Sequence, residues 1–186
     1  ARSTSQSPMS EQESKAETRW LIYGANGYTG ALIAEEAVRR GHRPRLSGRN
    51  REKVAALATR LGTAHAAADL EDSVALRAAI AGCRLVLHCA GPFSETSRAM
   101  VDACLAEGVH YLDITGEIDV FAACHGRSAE AAARGICLVP GVGFDVGPTE
   151  GVAAMLKEAL PDAASLSLAF KAGGGRSVGT AKTSAA

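Results

Sequence analysis

Trp20–Gly30 reads WLIYGANGYTG, and the rest of the chain is read outward from it. Trp20, Leu21, Ile22 and Tyr23 form a short apolar run. The glycine turn Gly24-Ala25-Asn26-Gly27-Tyr28-Thr29-Gly30 follows at once. Next comes ALIAEEAVRR, with Leu32, Ile33, Ala37 and Val38 at helical spacing and Gly41 as a stop. Strand, glycine turn and helix in that order form the setting in which a glycine pattern becomes a dinucleotide fingerprint. Gly24 would let the chain turn sharply off the strand end. Gly27 would let the backbone approach a pyrophosphate, and Gly30 would let the helix pack close to the strand. A helix opening at about Gly27 would turn unpaired N–H groups and a partial positive charge toward the phosphates. The competing reading is a tight βα turn that holds no ligand.

The chain has 186 residues, 47% hydrophobic and 22% charged, which predicts one globular domain with a real core. Formal net charge is zero, so nothing points to nucleic acid or an anionic membrane as partner. No apolar run approaches the ~18–20 residues of a membrane span. Residues 1–18 are polar, lack the apolar core of a signal peptide, and are read as a disordered lead with Met9 as the expected natural start. The five cysteines, Cys83, Cys89, Cys104, Cys124 and Cys137, are odd in number, with no two at Cys-x-x-Cys spacing. That argues against a disulfide framework or a zinc site and suggests mostly buried thiols in a reducing cytoplasm.

Pro44–Ser47 reads as a second strand, ending in Gly48-Arg49-Asn50. About twenty residues past the glycine turn, an NAD-binding fold places an acid for the ribose 2′-hydroxyl. Here Arg49 stands instead, with Arg51 and Lys53 close behind. A carboxylate would repel a 2′-phosphate, whereas a guanidinium can pair with it bidentately and stack on adenine. The turn therefore favours NADP(H) over NAD(H); the alternative is that Arg49 is a solvated loop charge.

Arg51–Leu61 reads as a helix closed by Gly62. A weak third strand, Ala64–Ala68, leads to Asp69-Leu70, beside the adenine position of this fold class. Asp69 could accept from the adenine amino group while Leu70 covers the ring, or it could serve the N-cap of a helix over Ser73–Ile80. Arg84–His88 is predicted as a fourth strand buried on both faces. The small residues after it, Cys89-Ala90-Gly91-Pro92, leave room for the nicotinamide-side ribose and pyrophosphate. His88 is read as a locally hydrogen-bonded strand-end residue rather than an acid or base. A helix over Ser94–Glu107 and a strand over His110–Ile114 lead to Thr115-Gly116-Glu117, where Asp113 and Glu117 each face a substrate or cap a helix. Ile118–Arg134 is predicted helical and Ile136–Val139 a sixth strand. Pro140–Pro148 is a shaped loop carrying Phe144 and Asp145 to the same cleft. A helix from Pro148 to Leu160 and a half-buried strand over Ser165–Lys171 complete the prediction. No internal repeat is present. Six strands alternating with helices give an α/β, Rossmann-type doubly wound parallel sheet.

Five stretches then fall in order: YGANGYTG (Tyr23–Gly30), SGRN (Ser47–Asn50), CAGPF (Cys89–Phe93), HYLDITGE (His110–Glu117) and GVGFDVGP (Gly141–Pro148). Together they resemble the N-terminal half of the saccharopine dehydrogenase-like oxidoreductases, nearest to the bacterial branch that includes the trans-acting enoyl reductases of lipid synthesis. The resemblance implies NADP(H) held by the glycine turn, by Arg49 and by the Cys89-Ala90-Gly91-Pro92 edge; the cofactor-side candidates are then Gly24, Asn26, Gly27, Tyr28, Thr29, Gly30, Ser47, Arg49, Asp69, Leu70, Cys89, Ala90, Gly91 and Pro92. It also implies a second α/β domain after about Leu160 that carries much of the substrate pocket, entered at Gly173–Thr180, with a homodimer through that domain as one arrangement. On this reading 19–160 is the cofactor domain, 161–186 begins the second, and the chain is a fragment of a protein nearly twice as long. Glu117, Phe144 and Asp145 are the substrate-side candidates. One departure is His88, where relatives often carry a small or amide residue.

Two functional classes follow. The first is the cofactor domain of an NADP-dependent oxidoreductase acting on a small molecule, with hydride moving to or from a C=N or C=C bond. The second is an NADP-binding sensor or interaction module without chemistry of its own. The Tyr-x-x-x-Lys pair of short-chain dehydrogenases is absent, since Tyr23, Tyr28 and Tyr111 are followed four residues on by Gly27, Leu32 and Thr115. No phosphate loop of the GxxxxGK[ST] type is present.

Overall fold

The computed structural model describes residues 20–144 and 146–169. The expected lead over 1–18, Asp145, and the proposed second-domain opening at Gly173–Thr180 lie outside the described residues. Elements alternate along the chain: β1 (Trp20–Tyr23), α1 (Tyr28–Arg39), β2 (Arg45–Gly48), α2 (Arg51–Leu61), β3 (His65–Ala67), α3 (Ser73–Ile80), β4 (Leu85–His88), α4 (Phe93–Glu107), β5 (His110–Asp113), α5 (Ile118–Gly126), α6 (Ser128–Ala133), β6 (Leu138–Val139) and α7 (Gly147–Ala159). The strands form one parallel sheet in the order β3-β2-β1-β4-β5-β6. The strand order reverses between β1 and β4, the switch point where open α/β sheets bind ligands.

Alternation along each strand sorts side chains to two faces. Ile22 and Leu46 pack with Ala34 of α1 and Val54, Leu57 and Ala58 of α2. Leu21, Tyr23, Val86 and Tyr111 pack on the other face against Leu76 and Ile80 of α3, Met100, Val101 and Cys104 of α4, and Val120 and Cys124 of α5. Each large aliphatic side chain taken fully from water contributes about 1.5–3 kcal/mol, so this second, larger layer carries most of the stability. The sheet is thus wound on both sides, as expected. Helix ends follow local chemistry: Asn50 Oδ1 accepts from Lys53 N at 2.9 Å to open α2, and Gly62, at φ 64°, closes it.

Several expectations change. Leu32 of α1 is exposed, and the buried face of that helix is Gly30, Ala34 and Ala37. Leu85 and Leu87 are only half-buried, so β4 is not sealed on both faces. The helix expected over Ile118–Arg134 breaks at Arg127. Ser128 Oγ donates to His125 O at 2.7 Å and competes for a helix carbonyl, next to the weak helix former Gly126. Arg127 itself is tied to Asp102 of α4 and to Glu130. The sixth strand shrinks to Leu138–Val139. Within the described part of Ser165–Lys171, residues 165–169 are not strand, Leu166 and Leu168 are exposed, and among the described residues no strand pairs with them.

Candidate functional site

The glycine turn leaves β1 at Gly24, whose φ of 76° is a conformation that L side chains rarely adopt. A Cβ there would stand 2.9 Å from Ala90 N and 3.0 Å from Ala90 Cβ, so the turn lies directly against the residues that follow β4. A Cβ on Gly30 would overlap the Gly24 carbonyl oxygen and come within 3.0 Å of Ala25 Cα. Gly30 therefore makes room for the turn itself rather than for the strand. Gly27 N donates to Gly24 O, and Ala31 N to Gly27 O, both at 2.9 Å.

Helix α1 then starts at Tyr28 with Gly27 as N-cap, without a side-chain cap and without an acidic residue in its first turn. Its neighbours differ: α2 is capped by Asn50, α3 by Asp72, and the amide groups that open α4 by Glu117. The first-turn N–H groups of an α-helix have no partner within the helix. At α1 they open beside exposed Asn26, Gly27 and Tyr28 and half-buried Thr29, which suits an anion.

At the β2 end, Ser47 is fully buried, and its Oγ has no hydrogen-bond partner among the described residues. Its carbonyl accepts from Ala25 N at 3.0 Å and ties the turn to β2. The pairing of Ser47 with Tyr23 puts both on the α3 side of the sheet. Gly48 is bare where a Cβ would lie 2.7 Å from Asn26 Oδ1, so the Asn26 carboxamide folds over the end of β2. Arg49 follows, exposed. The Tyr23 hydroxyl donates to Ala68 O at 3.0 Å. Its pKa is pushed up to about 12 by burial first and the Asp69 carboxylate second, with Arg49 opposing. Asp69 and Arg49 thus sit within electrostatic reach of one hydroxyl, which gathers the ends of β1, β2 and β3 at one place. Asp69 is exposed and accepts from Glu71 N at 3.1 Å; the cap of α3 belongs to Asp72. Leu70 is half-buried against the core.

At the β4 end, Cys89 N donates to Tyr23 O at 2.8 Å. Cys89, Ala90 and Pro92 are half-buried and Gly91 is exposed. Burial, and secondarily Asp113, pushes the Cys89 thiol up to about 12, so it is no thiolate nucleophile. His88 is fully buried, with Nε2 3.0 Å from Thr96 Oγ1, which bears out a locally bonded strand-end histidine. Burial pushes its pKa down from 6.5 to about 3. An unfolded imidazole takes a proton near 6.5 while the native ring refuses it, so stability falls as pH drops through that window. Between pH 6 and 5 the His88 contribution to the slope is expected to approach 1.4 kcal/mol per unit. Urea unfolding at stepped pH should show this loss in the wild type and not in His88→Gln; identical slopes in both would refute it.

At the β5 edge both acids, Asp113 and Glu117, hold backbone N–H groups. Asp113 is fully buried. It accepts from Tyr111 Oη at 2.6 Å, Thr115 N at 3.0 Å and Gly141 N at 2.8 Å, while its own carbonyl accepts from Val142 N at 2.8 Å. Burial, first among several causes, raises its pKa. Glu117 accepts from Phe93 N at 2.9 Å and Ser94 N at 2.7 Å. It is the cap of α4, reaching across from the start of α5. Both carboxylates shape the rim. Phe144 stands 75% exposed beyond it. In the sequence Thr96 has no role beyond its place one helical turn after Pro92, and Tyr111 enters only as a test for a Tyr-x-x-x-Lys pair. Among the described residues, no group of three or more His, Cys, Asp or Glu could hold a metal ion, and no helix is long and apolar enough to cross a membrane.

The family model described as the saccharopine dehydrogenase NADP binding domain matches residues 20–137. The chain belongs to this family. The match to the saccharopine dehydrogenase NADP-binding domain begins on the first residue of β1 and ends just before β6, and every cofactor-side candidate falls inside it. A Mycobacterium tuberculosis protein provisionally named a trans-acting enoyl reductase is 33% identical over 144 residues, covering 70% of this chain and 33% of its own length. A mouse saccharopine dehydrogenase-like oxidoreductase is 27% identical over 150 residues, covering 70% of this chain and 35% of its own. The chain spans about a third of the length of these relatives. Among solved structures, the apo saccharopine dehydrogenase (L-Glu forming) of Saccharomyces cerevisiae aligns with TM-score 0.62 and 16% identity, over 76% of this chain and 31% of that one. At that identity the likeness shows the fold.

Proposed function

We propose that this chain binds NADP(H) and forms the cofactor domain of an oxidoreductase that moves a hydride to or from a C=N or C=C bond of a small molecule. The observation that carries the reading is the uncapped start of α1 at the β1/β4 switch point, floored by side-chain-free Gly24 and Gly27 and flanked by Arg49 where an acid would select NAD(H). Bound NADP(H) would supply the hydride. The chain's own part is to hold it. The α1 amides and Asn26 would meet the pyrophosphate side. Arg49 would pair with the 2′-phosphate, and Asp69 and Leu70 would meet the adenine. The Cys89–Pro92 edge would seat the nicotinamide-side ribose. The names of the mycobacterial and mouse relatives support a reductase or oxidoreductase.

The test is a titration of NADPH and NADH against wild type and Arg49→Ala. Loss of a charged bidentate contact is expected to cost about 1.5–3 kcal/mol, roughly ten- to a hundredfold in affinity, for NADPH alone. Equal losses for both cofactors would remove Arg49 from the 2′-phosphate, and no binding of either by the wild type would end the reading. The alternative, an NADP-binding module without its own chemistry, draws support from the commitment of Asp113 and Glu117 to backbone N–H groups. Turnover of NADPH with an imine or enoyl acceptor would exclude it.

A further inference from the structure

Ser47, Tyr23, His88 and Asp113 lie in one line across the sheet, each paired with the next. They form a polar row on the α3–α4 face directly beneath the cofactor edge. His88 is enclosed by Tyr23 and Phe93, each with its ring centroid 5.4 Å away, and by Tyr111 at 6.2 Å. Its Nδ1 is buried without a partner. Its Nε2 meets Thr96 Oγ1, and that hydroxyl also lies 2.6 Å from Ala90 O and 2.9 Å from Pro92 O.

The proton positions follow by elimination. Both carbonyls only accept, so the single Thr96 hydroxyl hydrogen goes to them, and its lone pair receives Nε2–H from His88. His88 is therefore the neutral Nε2–H tautomer, and an aromatic cage fixes where that hydrogen points. One hydroxyl, itself oriented by a caged ring, takes up the two carbonyls that bracket Gly91. Pro92 O also accepts from Glu95 N at 3.3 Å, so the hydroxyl matters most at Ala90 O, which lies past the end of β4 where an unpaired backbone acceptor would be free to turn. Ala90 is also the residue against which Gly24 lies.

We propose that His88 and Thr96 act as a positioning pair that sets the shape of the Ala90–Pro92 edge against the nicotinamide half of bound NADP(H). This rests on the NADP(H) reading above. The pair lies at the β4 edge, whereas Arg49, Asp69 and the ends of β2 and β3 serve the adenosine half. Its effect should therefore be felt at one end of the dinucleotide only, which a role in general stability would not produce.

The probes are NADPH, NADH and 2′,5′-ADP, the last lacking the nicotinamide half, each titrated against the full chain. In Thr96→Val the dissociation constants for NADPH and NADH are expected to rise about tenfold, the worth of one neutral hydrogen bond and its neighbour. Binding of 2′,5′-ADP should stay within about twofold of wild type, inside the factor by which such contributions ordinarily scatter. His88→Leu should behave the same way and stands in should Thr96→Val fail to fold. Thr96→Ser keeps the hydroxyl, and His88→Gln keeps an N–H donor at comparable reach; both should restore dinucleotide binding. Equal weakening of all three ligands would reduce the pair to core packing and overturn the inference. So would wild-type NADPH affinity in both Thr96→Val and His88→Leu. A wild-type protein that binds no NADPH would overturn the proposed function and this inference together, whereas normal wild-type binding with indifferent variants sinks the inference alone.

Discussion

Gly30→Ala is expected to cut NADPH affinity by more than about a hundredfold and to lower stability by about 1–3 kcal/mol. Helix propensity argues the other way, since alanine inside a helix is favoured over glycine by roughly 1 kcal/mol. Sterics decide. The new Cβ would overlap Gly24 O and lie 2.9 Å from Gly24 C and 3.0 Å from Ala25 Cα. All three are backbone atoms of the glycine turn, and none is the end of a side chain that can swing away. Relief requires the turn to move, and the turn is held on the far side by Ala90 and by the bond from Ala25 N to Ser47 O. The moved turn would no longer present its amides at the switch point. Gly151→Ala is the control: it lies inside α7 with open space around it and should be neutral or slightly stabilising. Thermal unfolding and an NADPH titration on both variants provide the check, and wild-type binding by Gly30→Ala would refute the packing argument.

Asp113→Ala is expected to destabilise the fold by about 3–5 kcal/mol, because it strands the Tyr111 hydroxyl and the Thr115 and Gly141 amides in the interior. A typical domain has only about 5–15 kcal/mol in reserve, so much of this chain's stability is at stake in one side chain. Asp113→Asn separates hydrogen bonding from charge. Its oxygen can accept from both amides, but its NH₂ only donates, so the Tyr111 hydroxyl hydrogen loses its acceptor. One stranded donor in place of three should cost about 1–3 kcal/mol, less than the alanine variant. Urea denaturation of both variants tests the contrast. Equal losses would mean that charge, rather than the count of satisfied donors, makes Asp113 matter.

The parts of this molecule legible in the sequence are those governed by neighbours along the chain. The run from Trp20 to Gly30 announces strand, turn and helix, and Asn50 and Gly62 bracket α2 where capping chemistry puts them. Arg49 stands exposed just past the end of β2, where an acid is expected. Roles set by distant partners were hidden. Glu117 has the composition of a substrate-facing acid, yet its acceptors serve Phe93 and Ser94, separated from it by 24 and 23 residues. Ser47 sits in a motif that touches cofactor in the resemblance, but its pairing with Tyr23 turns its side chain under the sheet. The alternation in Ser165–Ala169 has the right period and, among the described residues, no strand beside it; period alone does not make a strand.

The capping of α4 by Glu117 has a thermodynamic consequence. Together with Thr96 on the Ala90 and Pro92 carbonyls, and the Tyr23 and Ser47 carbonyls on Cys89 N and Ala25 N, it leaves the mouth of the crevice preorganised. An incoming dinucleotide then loses its own freedom but orders little protein, so nearly all of its contact energy is available as affinity. Backbone differences between the free and occupied forms should stay within about 1 Å around the rim, as in other preformed sites. Association should accordingly proceed as a single step whose rate rises linearly with cofactor concentration.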